Sequence, residues 1–283
     1  MTSASEPSEP TYRQSIVTFI DILGFRALVE KESEREIVEV LRLFKRHSTP
    51  DQGAATTYEV GFTHFSDSVV RTTNIMSKAN AALPIGLLWN ELFDLLCLQI
   101  SLIERGVLIR GGVTINKVVH GDGFLFGPGM NRAYGLESKV ACYPRIVLDR
   151  HVLPLMREAA ALRYRDHSPR MEEEYLGEML SVASDGHVFV DYLKGAAANA
   201  EDVASYASFL RIHRDIILAR YAAETDRHVR RKVRWLAGYH NETVARMAPR
   251  LRELGVGNRG VTVPVRRVPR SRHPVLAGSR VST

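Results

Sequence analysis

The apolar positions in the first part of the chain switch between strand-like and helix-like spacing. Residues 15–22 are almost wholly apolar and predict a strand buried on both faces. Apolar residues then recur at helical spacing at Ile37, Leu41 and Phe44, which predicts a helix, continuous or broken once, ending near Arg46. The stretch 58–72 alternates apolar and small polar residues and predicts one long strand or one arm of a hairpin, with Asp67 in the strand interior.

The next hundred residues complete a mixed pattern of helices and strands. An apolar stripe after Pro84 predicts a core helix that Gly106 terminates. The segments VLIRGGVTI and NKVVHGDGFLFG predict a hairpin that turns at residues 121–123, followed by a helix in MNRAYGLESKV and a strand in YPRIVLD. This order favours an α+β fold with a split βαβ (ferredoxin-like) sheet and flanking helices over a doubly wound one.

Residues after Asp149 are mainly helical. Helices are predicted over 153–164 and over most of 205–250, and DGHVFVDYL alternates as an edge strand does. We expect the later helices to pack on the first part of the chain, since Trp235 and His240 lie in apolar surroundings. The expected organisation is a disordered leader (1–13), a domain over 14–149, a mostly helical extension over 150–254 and a basic flexible tail over 255–283.

Composition and charge exclude several classes of protein. The chain is 45% hydrophobic and 25% charged, which is typical of a globular protein. The net charge is +6, and the segment after residue 254 contains six arginines and no acid, so the rest of the chain sums to zero. The basic character therefore belongs to the tail, and nucleic-acid binding is not expected of the fold. No apolar run is long enough for a membrane span and no signal peptide is recognised, so we expect a cytoplasmic protein. Neither the cysteines nor the histidines have metal-ligand spacing.

Two acids interrupt apolar stretches and carry the candidate chemistry. Asp21 lies in IVTFIDILGF and Asp67 in FTHFSDSVV. A buried carboxylate is costly unless it is paired, and two close together raise each other's pKa. A divalent cation such as Mg²⁺ or Mn²⁺ reverses that penalty, because it prefers carboxylate and phosphate oxygens. We expect the backbone N–H groups of Leu23, Gly24 and Phe25, at the start of a helix, to bind phosphates.

Four segments in order, FIDILGF, FSDSVV, RGGVTI and FGPGMNRAYGLES, resemble the catalytic domain of class III nucleotidyl cyclases over residues 15–148. The resemblance implies a homodimeric enzyme with its sites at the subunit interface and two metal ions, Mn²⁺ or Mg²⁺, in each. It implies that Asp21, Asp67 and the Ile22 carbonyl bind the metals. It also implies that Asn131 orients the ribose from the opposite subunit.

The chain departs from the purine-specific cyclases at three positions. Thr63 and Phe124 stand where those enzymes have the lysine and the aspartate that read the base, so the usual purine recognition is absent. Gly135 stands where the transition-state arginine is expected. The nearest arginine, Arg132, lies one residue after Asn131, which turns it about 100° away on a helix. The alternatives to Arg132 are Arg145, Arg110 and greater reliance on the metals.

Among class III branches, the chain resembles the bacterial pyrimidine cyclases of the Pycsar antiphage systems in FIDILGF, FSDSVV, RGGVTI and YPRIVLD, and in its helical C-terminal extension. This implies cyclic UMP made from UTP, or less favourably cyclic CMP from CTP. It also implies a separate effector that senses the cyclic nucleotide. Tyr58 is then the candidate for base contact, with an ordinary strand aromatic as the equal alternative. A purine cyclase and a degenerate cyclase fold acting as a nucleotide-binding regulator remain open.

Overall fold

Eight strands form one mixed sheet at the centre of the protein. The computed structural model describes residues 10–48, 59–77, 86–253, 255–257 and 260–264. The strands lie in the order β2-β3-β1-β4-β6-β8-β7, with β5 beside β4, and the β4–β6 pair is parallel while the others are antiparallel. Their bounds are β1 Arg13–Ile22, β2 Val60–Phe65, β3 Ser68–Asn74, β4 Ile109–Gly121, β5 Phe124–Phe126, β6 Ile146–Leu148, β7 Leu180–Val182 and β8 Val188–Val190.

Helices flank this sheet, which confirms the α+β prediction. The predicted helix after residue 24 is broken once, between α1 and α2. No helix in the described ranges is long and apolar enough to cross a membrane. The helices are α1 Phe25–Lys31, α2 Glu34–Ser48, α3 Leu87–Ile103, α4 Pro128–Gly135, α5 Val152–Glu158, α6 Pro169–Gly177, α7 Tyr192–Asn199, α8 Val203–Ala223 and α9 Arg227–Glu253, with a wide helical turn at Leu136–Val140 and a 3-10 turn at Ala160–Leu162.

Strand β1 lies inside the sheet and separates two different environments. Its even positions, such as Ile16 and Ile20, belong to the main core with residues of α2 and α3. Its odd positions, Val17 and Phe19, belong to a smaller apolar cluster against α4. Because side chains alternate along a strand, Asp21 shares the α4 face. We call this face of β1 to β4 the open face.

Two strand predictions were wrong in detail. The described part of the stretch 58–72 is a hairpin of β2 and β3 whose two-residue turn is Ser66 and Asp67, so Asp67 lies in a turn and not in a strand interior. Ser66 has a φ of +55°, as tight hairpin turns require. The second prediction was that DGHVFVDYL forms an edge strand. Only its residues Val188–Val190 are a strand, and this strand lies between β6 and β7, so β7 forms the sheet edge.

The chain after Asp149 adds β7 and β8 to the same sheet and packs helices beside it. Trp235 of α9 stacks on Tyr143 with ring centroids 5.1 Å apart and nearly parallel planes. The leader and tail lie mainly outside the described residues, although β1 already begins at Arg13.

A buried chain of polar rings ties α7, α8 and α9 together. The Tyr192 hydroxyl and His213 Nε2 are 2.7 Å apart, and His213 Nδ1 and His240 Nδ1 are 2.9 Å apart. His240 Nε2 lies 2.6 Å from the Val261 carbonyl oxygen, to which it donates. His240 therefore has a satisfied structural role, as its sequence context indicates. Burial, together with the neighbouring His240, holds the pKa of His213 well below its usual range, so the native protein keeps His213 neutral.

This ring chain predicts acid sensitivity of the folded state. The unfolded chain binds a proton at His213 as the pH falls through about 6.5, while the native state does not, so the free energy of unfolding declines from there downward. We expect urea midpoints to fall between pH 7.5 and pH 5.5, and the variant His213→Gln to show a slope smaller by about 1 kcal/mol over that interval. Equal pH slopes for the two proteins would contradict this role.

Candidate functional site

The two candidate metal ligands meet where β1 ends. The Ile22 N–H donates to the Asp67 carbonyl oxygen at 3.0 Å, which fixes the β2–β3 turn against the end of β1. Asp21 precedes Ile22 and is paired across the sheet with Ser68, the residue after Asp67. Residues from two separate segments are thus brought together as the sequence predicts, although a turn and not a strand presents Asp67.

Arg110 of β4 joins Asp21 to a third acid. Its Nε donates to Asp21 Oδ2 at 3.1 Å, and its Nη2 lies 2.6 Å from Glu137 Oε1. Glu137 belongs to the wide turn after α4, and its side chain is only 3% exposed. Sequence reasoning missed Glu137, since nothing in GLES distinguishes it from an ordinary helical acid. We call Asp21, Asp67 and Glu137 the acid cluster.

The electrostatics of the acid cluster are those of carboxylates held together away from water. Burial raises the pKa of Asp21 above its ordinary value, and the charge of Asp67 adds to this, while Arg110 lowers it. Burial likewise raises the pKa of Glu137, with Asp21 and Asp67 acting in the same direction and Arg110 against them. The charges of Arg110 and Lys232 lower both pKa values without cancelling the effect of burial, so the acid cluster is incompletely compensated, an electrostatic condition that favours a cation.

The donor set fits a hard divalent cation that brings its own ligands. Glu137 Oε1 is buried and lies 2.6 Å from Arg110 Nη2, in an ion pair whose geometry is not that of an aligned hydrogen bond. Within the described residues no group of three or more His, Cys, Asp or Glu side chains is placed to hold a metal ion, so a cation here would depend on other ligands. A Mg²⁺-type site uses one or two carboxylates, with water and substrate phosphates completing the shell.

The turn after β1 offers fewer amide donors than the sequence indicates. Leu23 donates its N–H to the Leu108 carbonyl oxygen at 2.8 Å, so that amide is already engaged. Gly24 has a φ of +79°, in the left-handed region, and leads into α1 at Phe25. Gly24 and Phe25 therefore remain the candidates for phosphate contact.

Asn131 and Arg132, the two candidate catalytic residues, lie on α4. Arg132 donates from Nε and Nη2 to the two carboxylate oxygens of Asp149, at 2.6 and 2.7 Å. Asp149 is fully buried and also accepts from Thr114 Oγ1 at 3.0 Å. Asn131 is exposed in the first turn of α4. The guanidinium of Arg132 is thus committed to a structural pair.

Arg145, one of the alternatives to Arg132, is committed as well. Its side chain is 1% exposed and donates to Asp185 through both terminal nitrogens. Its guanidinium carbon also lies 5.4 Å from the Tyr143 ring centroid and 5.5 Å from that of Trp235. Of the arginines proposed from the sequence, Arg110 is the one in the acid cluster.

Of the three residues expected to contact the base, the structure describes Thr63 and Phe124. Thr63 lies on the open face, and its hydroxyl is 2.8 Å from His120 Nε2, a contact that the sequence did not indicate. Phe124 opens β5 and is 56% exposed. Tyr58 lies outside the described residues. A cleft of about 260 Å³ lies beside His120, but it opens at the Arg13 end of β1, about 20 Å along the strand from Asp21.

Large aromatic side chains are exposed around the open face. Phe65 at the tip of β2 is 80% exposed, and Tyr134 on α4 is 53% exposed. Elsewhere on the sheet, Tyr12 and Phe126 contact each other edge to face and are also exposed. A concentration of exposed aromatic surface is typical of a protein interface.

No model of a protein family matches the chain, and no curated protein matches it. Solved structures with a similar arrangement include a bacterial light-regulated adenylyl cyclase, 18% identical over 49% of this chain and 77% of that one, with a TM-score of 0.35. They also include the guanylyl cyclase Cya2, 15% identical over 56% of this chain and 82% of that one, with a TM-score of 0.35. At TM-scores this low, the functional argument rests on the residues of the site.

The ion pair between Arg132 and Asp149 predicts that Arg132 stabilises the folded state. Arg132→Gln leaves Asp149 buried with fewer donors and should reduce the free energy of unfolding by about 1 to 3 kcal/mol. In a double-mutant cycle, Asp149→Asn should recover part of that loss, measured by urea unfolding. Additive single and double variants would show that the pair contributes nothing to stability.

Proposed function

We propose that the protein is a pyrimidine nucleotide cyclase that converts UTP, in preference to CTP, into the 3′,5′-cyclic monophosphate and pyrophosphate. The observation that carries the proposal is the acid cluster at the end of β1, where Asp21 and Asp67 are brought together by the Ile22 to Asp67 backbone hydrogen bond. These are the two aspartates that the class III motifs assign to metal binding. Two partly buried acids held this close are costly to the fold, which is consistent with a selected catalytic function.

Asp21, Asp67 and the Ile22 carbonyl would hold two Mn²⁺ or Mg²⁺ ions. Bound there, the metals would supply activation of the ribose 3′-hydroxyl and neutralisation of phosphate charge. Arg110 would then add a guanidinium beside the reacting phosphates, because Arg132 and Arg145 are held by Asp149 and Asp185.

Substrate choice follows from the groups at the base-reading positions. Thr63 and Phe124 lack the charged groups that purine-specific cyclases carry there, and the Thr63 hydroxyl is turned toward His120. Specificity for a base depends on hydrogen bonds to it, so loss of both polar groups should change the substrate, and the proposed change is from a purine to a pyrimidine. Tyr58 is the further proposed base contact.

We propose a homodimer formed through the open face. Its exposed aromatic side chains, such as Phe65 and Tyr134, would be buried there, and the exposed Asn131 would reach the acid cluster of the other subunit. The likeness to Pycsar cyclases further supports a role in antiphage defence, with the cyclic nucleotide as second messenger to a separate effector. The two alternatives differ from this proposal in what they do with nucleotides. A purine cyclase would convert ATP or GTP, and a degenerate regulator would bind a nucleotide without converting it.

Product analysis tests the activity and its substrate. Purified protein is incubated with ATP, GTP, CTP or UTP, each with Mn²⁺ and with Mg²⁺, and the products are identified by mass spectrometry. We expect cyclic UMP as the main product, and loss of more than a hundredfold in rate for Asp67→Asn with an unchanged melting temperature. A cyclic purine product would establish the purine alternative, and no product from any nucleotide would favour the regulator.

Mixing inactive variants tests the shared site. Each site of the proposed dimer takes Asp67 from one subunit and Asn131 from the other. Asp67→Asn and Asn131→Ala should therefore each be inactive alone, because in a symmetric dimer either substitution is present in both sites. Their heterodimer contains one intact site, so an equilibrated mixture should recover about a quarter of wild-type activity. A mixture of Asp21→Asn with Asp67→Asn, which damages the same half, is the control and should stay inactive. Recovery in neither mixture would contradict a site shared between subunits.

A further inference from the structure

We propose that Arg220 of α8 and Lys232 of α9 bind the phosphate chain of the substrate, so that the C-terminal helices complete the site. We call these two residues the C-terminal cation pair. The inference rests on the proposed function for the identity of the substrate as a nucleoside triphosphate. It assigns to the C-terminal extension a direct part in substrate binding that the motifs of the first half do not indicate.

Arg220 reaches the turn that follows β1. Its Nη2 donates to the Gly106 carbonyl oxygen at 3.0 Å, which holds the guanidinium beside the loop that leads into β4. Its Nη1 lies 3.9 Å from the point where a side chain on Gly24 would begin. Gly24 lies three residues after Asp21, so this guanidinium borders the same turn that is expected to contact phosphates.

Lys232 approaches the acid cluster from α9. It lies three residues before Trp235 and shares its helix face, and Trp235 is fixed by stacking on Tyr143. Burial and the charge of Arg110 hold the pKa of the half-buried Lys232 below its ordinary value, while Asp21 and Glu137 act in the opposite direction. Lys232 therefore lies within the electrostatic range of the proposed metal ligands while retaining access to water.

The charges around the acid cluster explain why cations are needed there. Asp21, Asp67 and Glu137 repel an incoming triphosphate, and Arg110 is already shared between two of them. Burial raises the pKa of Glu137 even though Arg110 and Lys232 lower it, so the cluster carries more negative charge than its neighbours offset. Cations placed beside it offset the repulsion and give the phosphate chain defined partners.

The docking of α8 and α9 does not itself require these charges. Trp235 against Tyr143 and the buried ring chain through His213 and His240 already hold the helices in place. Two cations at the border of an acid cluster, on elements that are otherwise anchored by packing, are better explained by a ligand than by stability.

Binding of inorganic tripolyphosphate tests this proposal without relying on catalysis. Titration calorimetry with tripolyphosphate and Mg²⁺ is performed on the full chain and on the variants Lys232→Gln and Arg220→Gln. We expect each variant to bind about tenfold more weakly, the size of a lost charge-assisted contact. Lys232→Arg keeps the charge and should bind as wild type does. The matched controls are Arg231→Gln on α9 and Arg211→Gln on α8, both exposed, and neither should change the affinity.

The outcomes separate the cation pair from the proposed activity. Weaker tripolyphosphate binding by Lys232→Gln and Arg220→Gln supports the pair even if no cyclic product forms from any nucleotide. Cyclic product from wild type, with unchanged affinity and unchanged kcat/KM in both variants, overturns the pair and leaves the activity standing. Absence of tripolyphosphate binding by wild type, or equal losses in the controls, also overturns the pair. Melting temperatures of all variants identify a loss of affinity that comes from unfolding.

Discussion

Repulsion between partly buried carboxylates is the constraint around which the site is arranged. Asp21, Asp67 and Glu137 come from three separate segments, and one guanidinium, that of Arg110, lies between two of them. Burial raises the pKa of Asp21 and of Glu137, so the free energy of holding the cluster ionised must come from the rest of the fold. The sheet supplies it by fixing β1, the β2–β3 turn and β4 in one register.

The two faces of the sheet divide stability from function. Under one face, α2 and α3 bury a continuous apolar core that includes Ile16 and Ile20. The open face carries only the small cluster against α4, together with exposed aromatic rings. Because the core is formed on one side, side chains on the other side are released from packing and are available for ligands and for a second subunit.

The sequence predicted the elements around the site better than the site itself. The apolar run of β1 and the helical stripe of α3 carry strong local signals, and both were found. Asp67 was misplaced because the turn at Ser66 contains no glycine, proline or asparagine to interrupt the alternation. Glu137, Arg220 and Lys232 were missed because their positions depend on packing between distant segments, for which one sequence contains no periodic signal.

The central place of β1 has a consequence for how the chain folds. Among the described strands it is synthesised first, yet its neighbours are β3 and β4, and the β4 partner of Asp21 is Arg110. Until those strands have been synthesised, the apolar run of β1 has two unpaired edges and no core to enter. Such non-local pairing is slow and leaves nascent chains open to association, so we expect this protein to depend on chaperones more than its modest size suggests.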